Sequence, residues 1–527
     1  MTENKLNAVP GLRPFFGKFG LFAIMMCYPL FSMLWRYEYP VLSMEVFLFL
    51  GSIFLLALLL SALSSACRPR LANIIFAIFL TLVLVLQFNL FFEGTTILFV
   101  IALALALILG SKFQQLAFAV FVALFIGAFI DRGLDHTRNL NELAGSKQSA
   151  VKAPIVHIMM DGFIGPDGLP PQDVPQEYRS EILGFFKKND FELFNKAYSH
   201  YNNTQDSLTR AFNFTDDDEN LFQKTHLLHE KLAVPENKYF EMLHRAGYTI
   251  NVYQSESFDF CQAVPEAVGR CMMYNVPNLA TIRDNVSSPW TRYRVLVTGL
   301  ISGPNLIGLF LKKRLWLLAW GVTFYEPKVI DEIVNDLNQT RSGVYFAHLL
   351  LPHNPNVYQS DCQLDYSSDS WERFLGPGLI RNSPDSRAVR YLRYLPQLSC
   401  ALKEMGRLFA RMREMGLYDD ATIIVHGDHG SRISLFSPSH LNRERLTPED
   451  YRDVFSILFA IKTPSGEYRE HNEPVPLNVL MQRTAAAITG DKMFEEEGET
   501  QSEELPFIYL TGQSPLTKHE IDIFEQP

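Results

Sequence analysis

Ala421-Thr-Ile-Ile-Val-His-Gly-Asp-His-Gly430 is the stretch whose reading decides the fold. Its β-branched run, 422–425, bounded by glycine, reads as a buried strand. Beyond the strand end come Asp428 and His429, one hard oxygen donor and one imidazole, a pairing that suits a divalent cation. Gly427 and Gly430 are expected to let the backbone turn sharply around them.

Two more apolar runs repeat this grammar. Pro154-Ile-Val-His-Ile-Met-Met-Asp161-Gly162 ends in a carboxylate followed by glycine. Val344-Tyr-Phe-Ala-His348-Leu-Leu-Leu-Pro-His353-Asn-Pro leads to a histidine and carries another inside the run. By position His348 reads as a core residue, with substrate binding as its functional alternative. His353, past the strand end, is the better site candidate. Asp453-Val-Phe-Ser-Ile-Leu-Phe-Ala-Ile-Lys462 reads as a further strand. A helix–turn–strand pattern at 239–251 and a long helical pattern at 388–415, stopped by Gly416, supply helices. Together these predict an α/β domain with a mostly parallel central sheet flanked by helices. In such sheets, sites form beyond the carboxyl ends of the strands.

Between the first two runs lies Asn195-Lys-Ala-Tyr-Ser-His-Tyr-Asn-Asn-Thr204-Gln-Asp-Ser207-Leu-Thr209-Arg-Ala-Phe. It reads as a polar loop, then the start of a helix, with Thr204 at or beside the helix N-terminus, where N–H groups favour an anion. Two readings stand. Thr204 is an N-cap, or its hydroxyl attacks phosphorus once a metal lowers its pKa. Arg432 and His440 follow the Asp-His pair in a polar loop. The tail after about 490 is acidic and is expected to be peripheral.

The chain has 527 residues, 48% hydrophobic and 20% charged, with a formal net charge of −10. No basic run gives the footprint of a nucleic-acid partner. The first quarter is nearly all apolar. Segments at about 20–35, 44–66, 71–92, 95–111 and 115–130 predict five membrane crossings, the last two at the short end of what spans about 30 Å. Basic residues favour alternate loops, which puts the N-terminus in the cytoplasm and residue 131 outside. A re-entrant pair made of the last two segments would reverse that side. The division expected is a membrane domain over 1–134, a linker over 135–153 and an extracytoplasmic domain over 154–527. Cys261, Cys271, Cys362 and Cys400 all fall in the soluble part, where an even number implies disulfides. Proximity favours Cys261–Cys271 and Cys362–Cys400 among three possible pairings. The apolar stretch 295–322 reads equally as a helix in the membrane interface or as a buried helical hairpin.

Taken in order, Asp161, the Tyr-Asn-Asn-Thr204-x-x-Ser-Leu segment, the Phe-Ala-His-Leu-Leu-Leu-Pro-His353 segment and Gly-Asp428-His429-Gly resemble the alkaline phosphatase/sulfatase superfamily. The layout resembles its membrane-anchored transferases, the phosphoethanolamine transferases and lipoteichoic acid synthases. That resemblance implies Asp161, Thr204, Asp428 and His429 as ligands of one divalent metal ion, Zn²⁺ or Mn²⁺, with Thr204 also the nucleophile. His353 and His440 would hold the substrate phosphate, and Arg432 and His348 are further substrate-binding candidates. Ser431-Arg432 stands where phosphoethanolamine transferases have a Glu-containing continuation, so the headgroup stays open between phosphoethanolamine and phosphoglycerol. No C/S-x-P-x-R context surrounds Thr204, which speaks against a formylglycine sulfatase.

The expected function is transfer of a phospho-headgroup from a membrane phospholipid to an envelope glycan or lipid, through a phospho-threonine. The expected location is a bacterial inner membrane, with the catalytic domain in the periplasm or outside. A phosphodiester or sulfuric-ester hydrolase on the same scaffold is the alternative, and a non-catalytic envelope scaffold is the alternative of another class.

Overall fold

The computed structural model describes residues 12–36, 39–88, 92–135, 152–216, 232–234, 236–255, 258–274, 288–301, 326–354, 356, 358–363, 383–491, 506–510, 518–521 and 523–524. Helices α1 (Leu12–Arg36), α2 (Met44–Ala66), α3 (Pro69–Phe88), α4 (Phe92–Leu109) and α5 (Ser111–Asp135) come first. Then follow β1 (Ile155–Met160), α6 (Gln176–Lys188), β2 (Glu192–Phe194), α7 (Thr204–Asn213), α8 (Lys238–Arg245), β3 (Ile250–Ser255) and β4 (Val268–Tyr274). After these come α9 (Pro289–Ile301), α10 (Glu326–Thr340), β5 (Val344–Leu349), α11 (Pro384–Glu414) and β6 (Thr422–Gly427). The last principal elements are α12 (Pro448–Phe455), β7 (Phe459–Lys462), β8 (Arg469–His471) and α13 (Leu477–Thr489).

The chain divides into two compact units, and the division is not a single cut. One unit comprises 1–141 and 277–321; the other comprises 142–276 and 322–527. The expected linker 135–153 lies almost wholly outside the described residues, as does the part of the 295–322 stretch beyond 301.

The second unit is an α/β domain around an eight-stranded sheet of order β8-β2-β7-β6-β1-β5-β3-β4. Only β7 runs against its neighbours. All six residues of β1 and all six of β5 are buried, which is why these strands read as unbroken apolar runs: both faces of a parallel sheet are covered. Side chains alternate between the faces. On one face Ile155, Met159, Phe346 and Ile424 pack with Phe212 of α7, Phe240 of α8 and Leu480 of α13. On the other, Tyr345 reaches Ser342 beside α10, while Phe185 of α6 packs on Phe409 of α11 at 5.8 Å.

Register places the site. Met160 pairs with Leu349 on one side and with Gly427 on the other. Asp161 and Asp428 therefore leave adjacent strands at the same level, and His353 leaves the next strand four residues past its end. The sharp-turn role expected for Gly427 and Gly430 is corrected: neither has a positive φ. They are glycines because backbone passes too close for a side chain. A Cβ on Gly427 would lie 2.4 Å from the Phe163 carbonyl oxygen, and one on Gly430 2.0 Å from that of Asp453.

Two further expectations are corrected. Five helices, α1 to α5, open the chain, but among the described residues only Phe15–Trp35 and Met44–Ala66 are long and apolar enough to cross a membrane. The apolar parts of α3, α4 and α5 (Pro69–Val85, Thr95–Leu109 and Ser111–Gly127) are shorter, and at 1.5 Å per residue they fall short of a core of about 30 Å. The C-terminal tail is not wholly peripheral. Strands Phe507–Tyr509 and Lys518–Glu520 pair antiparallel, and Ile508, Leu510 and Ile523 join a buried cluster with Tyr198, Val454 and Phe455. The two expected disulfides, Cys261–Cys271 and Cys362–Cys400, are both present.

Candidate active site

Three side chains converge at the carboxyl ends of β1 and β6. Ligand atoms of Asp161, Asp428 and His429, all buried, lie within 4.8 Å of one another. His429 Nε2 is 3.3 Å from Asp161 Oδ1 and 3.3 Å from Asp428 Oδ2. Its Nδ1 lies 2.7 Å from the Gly430 carbonyl oxygen. A carbonyl only accepts, so Nδ1 carries the proton and Nε2 turns a lone pair toward the carboxylates. Gly162 N–H donates to Asp428 Oδ1 at 2.9 Å, and this holds the carboxylate with Oδ2 inward. A positive φ at Gly162 (71°) makes that approach possible.

Asp161 Oδ1, Asp428 Oδ2 and His429 Nε2 are buried without a hydrogen-bond partner. Orphaned buried acceptors are costly, by about 1–3 kcal/mol each. Three that face one another, two of them on carboxylates, fit a divalent cation as their common partner. Burial raises the Asp161 carboxyl, but His353, His348 and His429 around it outweigh that and hold it well below the usual carboxylate range. Asp161 is thus an anion, as a ligand must be.

Thr204 is the first residue of α7, and the N-cap is Asn203, whose side chain accepts from Asp206 N–H. This removes the capping reading of Thr204, since capping falls to its neighbour, and the Thr204 hydroxyl lies 3.4 Å from Asp161 Oδ2. Buried Leu208 and Phe212 set the register of the helix. Each contributes about 1.5–3 kcal/mol, more than the roughly 1 kcal/mol of a cap. Ser207, one turn on, donates to the Asp428 carbonyl at 2.6 Å, which ties the start of the helix to the metal loop.

The loop before Thr204 is braced from far along the chain, by residues the sequence reading did not single out. His200 Nδ1 lies 2.8 Å from the Phe507 carbonyl, Tyr509 N–H donates to the His200 carbonyl at 2.9 Å, and Tyr201 stacks on Tyr509 at 4.9 Å. The short strand Phe507–Tyr509 therefore clamps the segment that leads to Thr204. Its Phe-Ile-Tyr run was the available signal.

The remaining candidates separate. His353 Nε2 is 3.9 Å from Asp161 Oδ1, and its Nδ1 faces the Asn354 carbonyl at 2.5 Å. Burial lowers its pKa against the pull of Asp161, with Arg432 and His429 adding to the lowering. His348 Nε2 is 3.7 Å from Asp161 Oδ2, but the ring is 2% exposed and walled by Phe258 and Phe260 at 5.7 and 5.6 Å. It sits behind Asp161, closed off by these two rings. Arg432 takes a positive φ of 56° and has a buried Nε with no partner. Burial lowers its guanidinium, and Asp161 and Asp428 pull it back up. His440 is exposed and opens a short 3-10 helix, His440–Arg445. Its charge acts on His519, beside Arg443, and the structure does not bring it to the Asp161 cluster.

No curated protein matches the chain at a significant level. Among solved structures, similarity extends to the phosphonate monoester hydrolase SpPMH from Silicibacter pomeroyi, at 15% identity and TM-score 0.43, over 70% of this chain and 81% of that one. It extends to the C-terminal periplasmic domain of EcEptC from Escherichia coli, at 11% identity and TM-score 0.37, over 72% and 98%. A protein in the alkaline phosphatase superfamily from Vibrio parahaemolyticus is similar at 10% identity and TM-score 0.38, over 65% and 67%. Residues 155–482, which carry Asp161, Thr204, His353, Asp428 and His429, match the sequence model of the Sulfatase family, and the chain belongs to that family.

Proposed function

We propose that the chain is a membrane-anchored phosphotransferase that moves a phospho-headgroup from a phospholipid to an envelope glycan or lipid through Thr204. The observation that carries this reading is the placement of the Thr204 hydroxyl, relieved of capping by Asn203, against Asp161 in a cluster of orphaned ligand atoms. A divalent cation bound by Asp161, Asp428 and His429, Zn²⁺ or Mn²⁺ by donor type, would supply Lewis acidity and lower the pKa of the hydroxyl.

The chain's own residues then divide the work. Thr204 Oγ1 attacks phosphorus; the Oγ1–P bond forms and the bond from phosphorus to the diacylglycerol oxygen breaks. His353, kept neutral by burial, takes the threonine proton and returns it to the departing diacylglycerol oxygen. In the second half an acceptor hydroxyl gives its proton to His353 and its oxygen bonds to phosphorus, while the P–Oγ1 bond breaks and His353 returns the proton to Thr204. Arg432 stabilises charge on the non-bridging oxygens. His348 holds Asp161 in orientation. The two N-terminal apolar helices anchor the chain to the membrane that supplies the donor, and the two disulfides fit an oxidising compartment such as the periplasm.

Hydrolysis by the same residues with water as acceptor is the competing activity in this family. The test uses the full chain in liposomes with a headgroup-labelled phospholipid. Label that passes to an added glycan or lipid, with diacylglycerol released, supports transfer. Label released only as the free phospho-headgroup sinks it in favour of hydrolysis.

A further inference from the structure

Helix α9 comes from the midst of the catalytic sequence, yet it belongs to the N-terminal unit. It lies along the first half of α2. The Tyr293 hydroxyl is 3.0 Å from Ser52 Oγ. The Tyr293 ring meets Phe49 edge-on at 5.9 Å and stacks on Trp290 at 5.1 Å. Arg292 Nε lies 3.6 Å from Glu45 Oε2, and Glu45, wholly buried, also accepts from the Tyr39 hydroxyl.

These contacts have a depth. Ser52 lies eight residues past Met44, the first residue of α2, which at 1.5 Å per residue is about 12 Å along the helix. The outward faces of α2 carry exposed Phe47, Phe54, Leu55, Leu59 and Leu63, a continuous apolar surface that belongs in lipid rather than water. Tyr293 therefore sits level with that surface, not beyond its end. Glu45 lies in the first turn of α2, at the edge of that surface, where a buried carboxylate is expensive unless paired, and its partner is an arginine that arrives on α9. Trp290, 60% exposed, sits beside the start of the apolar surface with Tyr293 stacked on it. An indole paired with a phenol is what the headgroup boundary of a bilayer favours.

We propose that residues 289–301 form a re-entrant membrane element, with the Glu45–Arg292 pair as its key and the lipid bilayer as the partner of its exposed face. The catalytic sequence is then attached to the membrane twice, once through the N-terminal helices and once between residues 276 and 322. The inference rests on reading α1 and α2 as membrane spans.

The test separates the two. The full chain is reconstituted into vesicles of brominated phosphatidylcholine in two forms that each retain one of the five tryptophans, Trp290 or Trp35 of α1. Loss of most of the emission from both supports the proposal. It requires in addition that Arg292→Ala and Glu45→Ala each restore Trp290 emission, and that the exchange Glu45→Arg with Arg292→Glu quenches it again. Quenching of Trp35 alone overturns the proposal and leaves the anchor standing. Quenching of neither overturns both. Quenching of Trp290 that is indifferent to Arg292→Ala and Glu45→Ala refutes the key.

Discussion

Replacing Arg432 with glycine separates a residue kept for stability from one kept for chemistry. Its φ of 56° places an L-residue in the left-handed region, at about 1–2 kcal/mol. The surroundings impose this. Gly430 N–H donates to the Val454 carbonyl at 2.7 Å, Ser431 donates to the Asp453 carboxylate, and Ile433 N–H donates back to Ser431 Oγ at 3.3 Å. Glycine removes the strain. It also removes a buried Nε with no partner, itself worth about 1–3 kcal/mol of desolvation. Against that, glycine loosens the unfolded chain by about 0.5–1 kcal/mol. Arg432→Gly should therefore be at least as stable as the parent, and more stable by about 1 kcal/mol, whereas Arg432→Ala keeps the strain and gains less. Turnover should move the other way. Losing one donor aimed at charge that develops in the transition state costs about 100–1000-fold. The assays are thermal melting of the full chain in detergent and diacylglycerol release from labelled phospholipid. A glycine variant that melts lower than the alanine variant, or that keeps nearly full turnover, would refute the reasoning.

Removing the metal should expose the cost of the Asp161–Asp428–His429 cluster. Chelation should lower the melting midpoint of the full chain, with about 2.7 kcal/mol restored when Zn²⁺ or Mn²⁺ reaches 100 times its Kd. An Asp161→Asn, Asp428→Asn protein should show no such response, and a parent indifferent to chelator would contradict the site. Acid should destabilise the sheet through His426 and His157, whose rings meet at 4.9 Å, tilted by 56°. Burial lowers His426 from 6.5 to about 4 and lowers His157 in the same direction. The unfolded chain then binds the proton more tightly, so stability is full above pH 6.5 and is lost as pH falls toward 4. For His426 that gap is about 3 kcal/mol. Melting midpoints taken between pH 7.5 and 5 should fall in the parent and less steeply in His426→Gln; a flat profile contradicts the assignment.

The strand ends were legible because a parallel sheet covered on both faces leaves unbroken apolar runs, and the polar residue that ends each run is conspicuous. That is why Asp161, His353, Asp428 and His429 could be named in order and prove to be neighbours. What was not legible depended on contacts far along the chain. Asn203 and Thr204 are both plausible caps, and only the burial of Leu208 and Phe212 decides which residue starts the helix. His348 and His353 differ by five positions, yet one is walled behind Asp161 and the other lines the site. His440 follows the metal loop in sequence but stands exposed at the start of the 3-10 helix His440–Arg445. The bracing strand Phe507–Tyr509 hides in an acidic tail. The membership of α9 was undecidable from its own composition, because its partner Glu45 is more than two hundred residues away.

The central claim is that Thr204 carries the phospho-group. The most direct measurement is intact and peptide mass spectrometry of the full chain, quenched in acid during turnover of a phospholipid donor. The peptide containing Thr204 should carry the added mass of the phospho-headgroup. The adduct and turnover should both be absent from Thr204→Ala, and the adduct should disappear when acceptor is supplied in excess. Undiminished turnover by Thr204→Ala, or an adduct on another residue that persists in that variant, would contradict it.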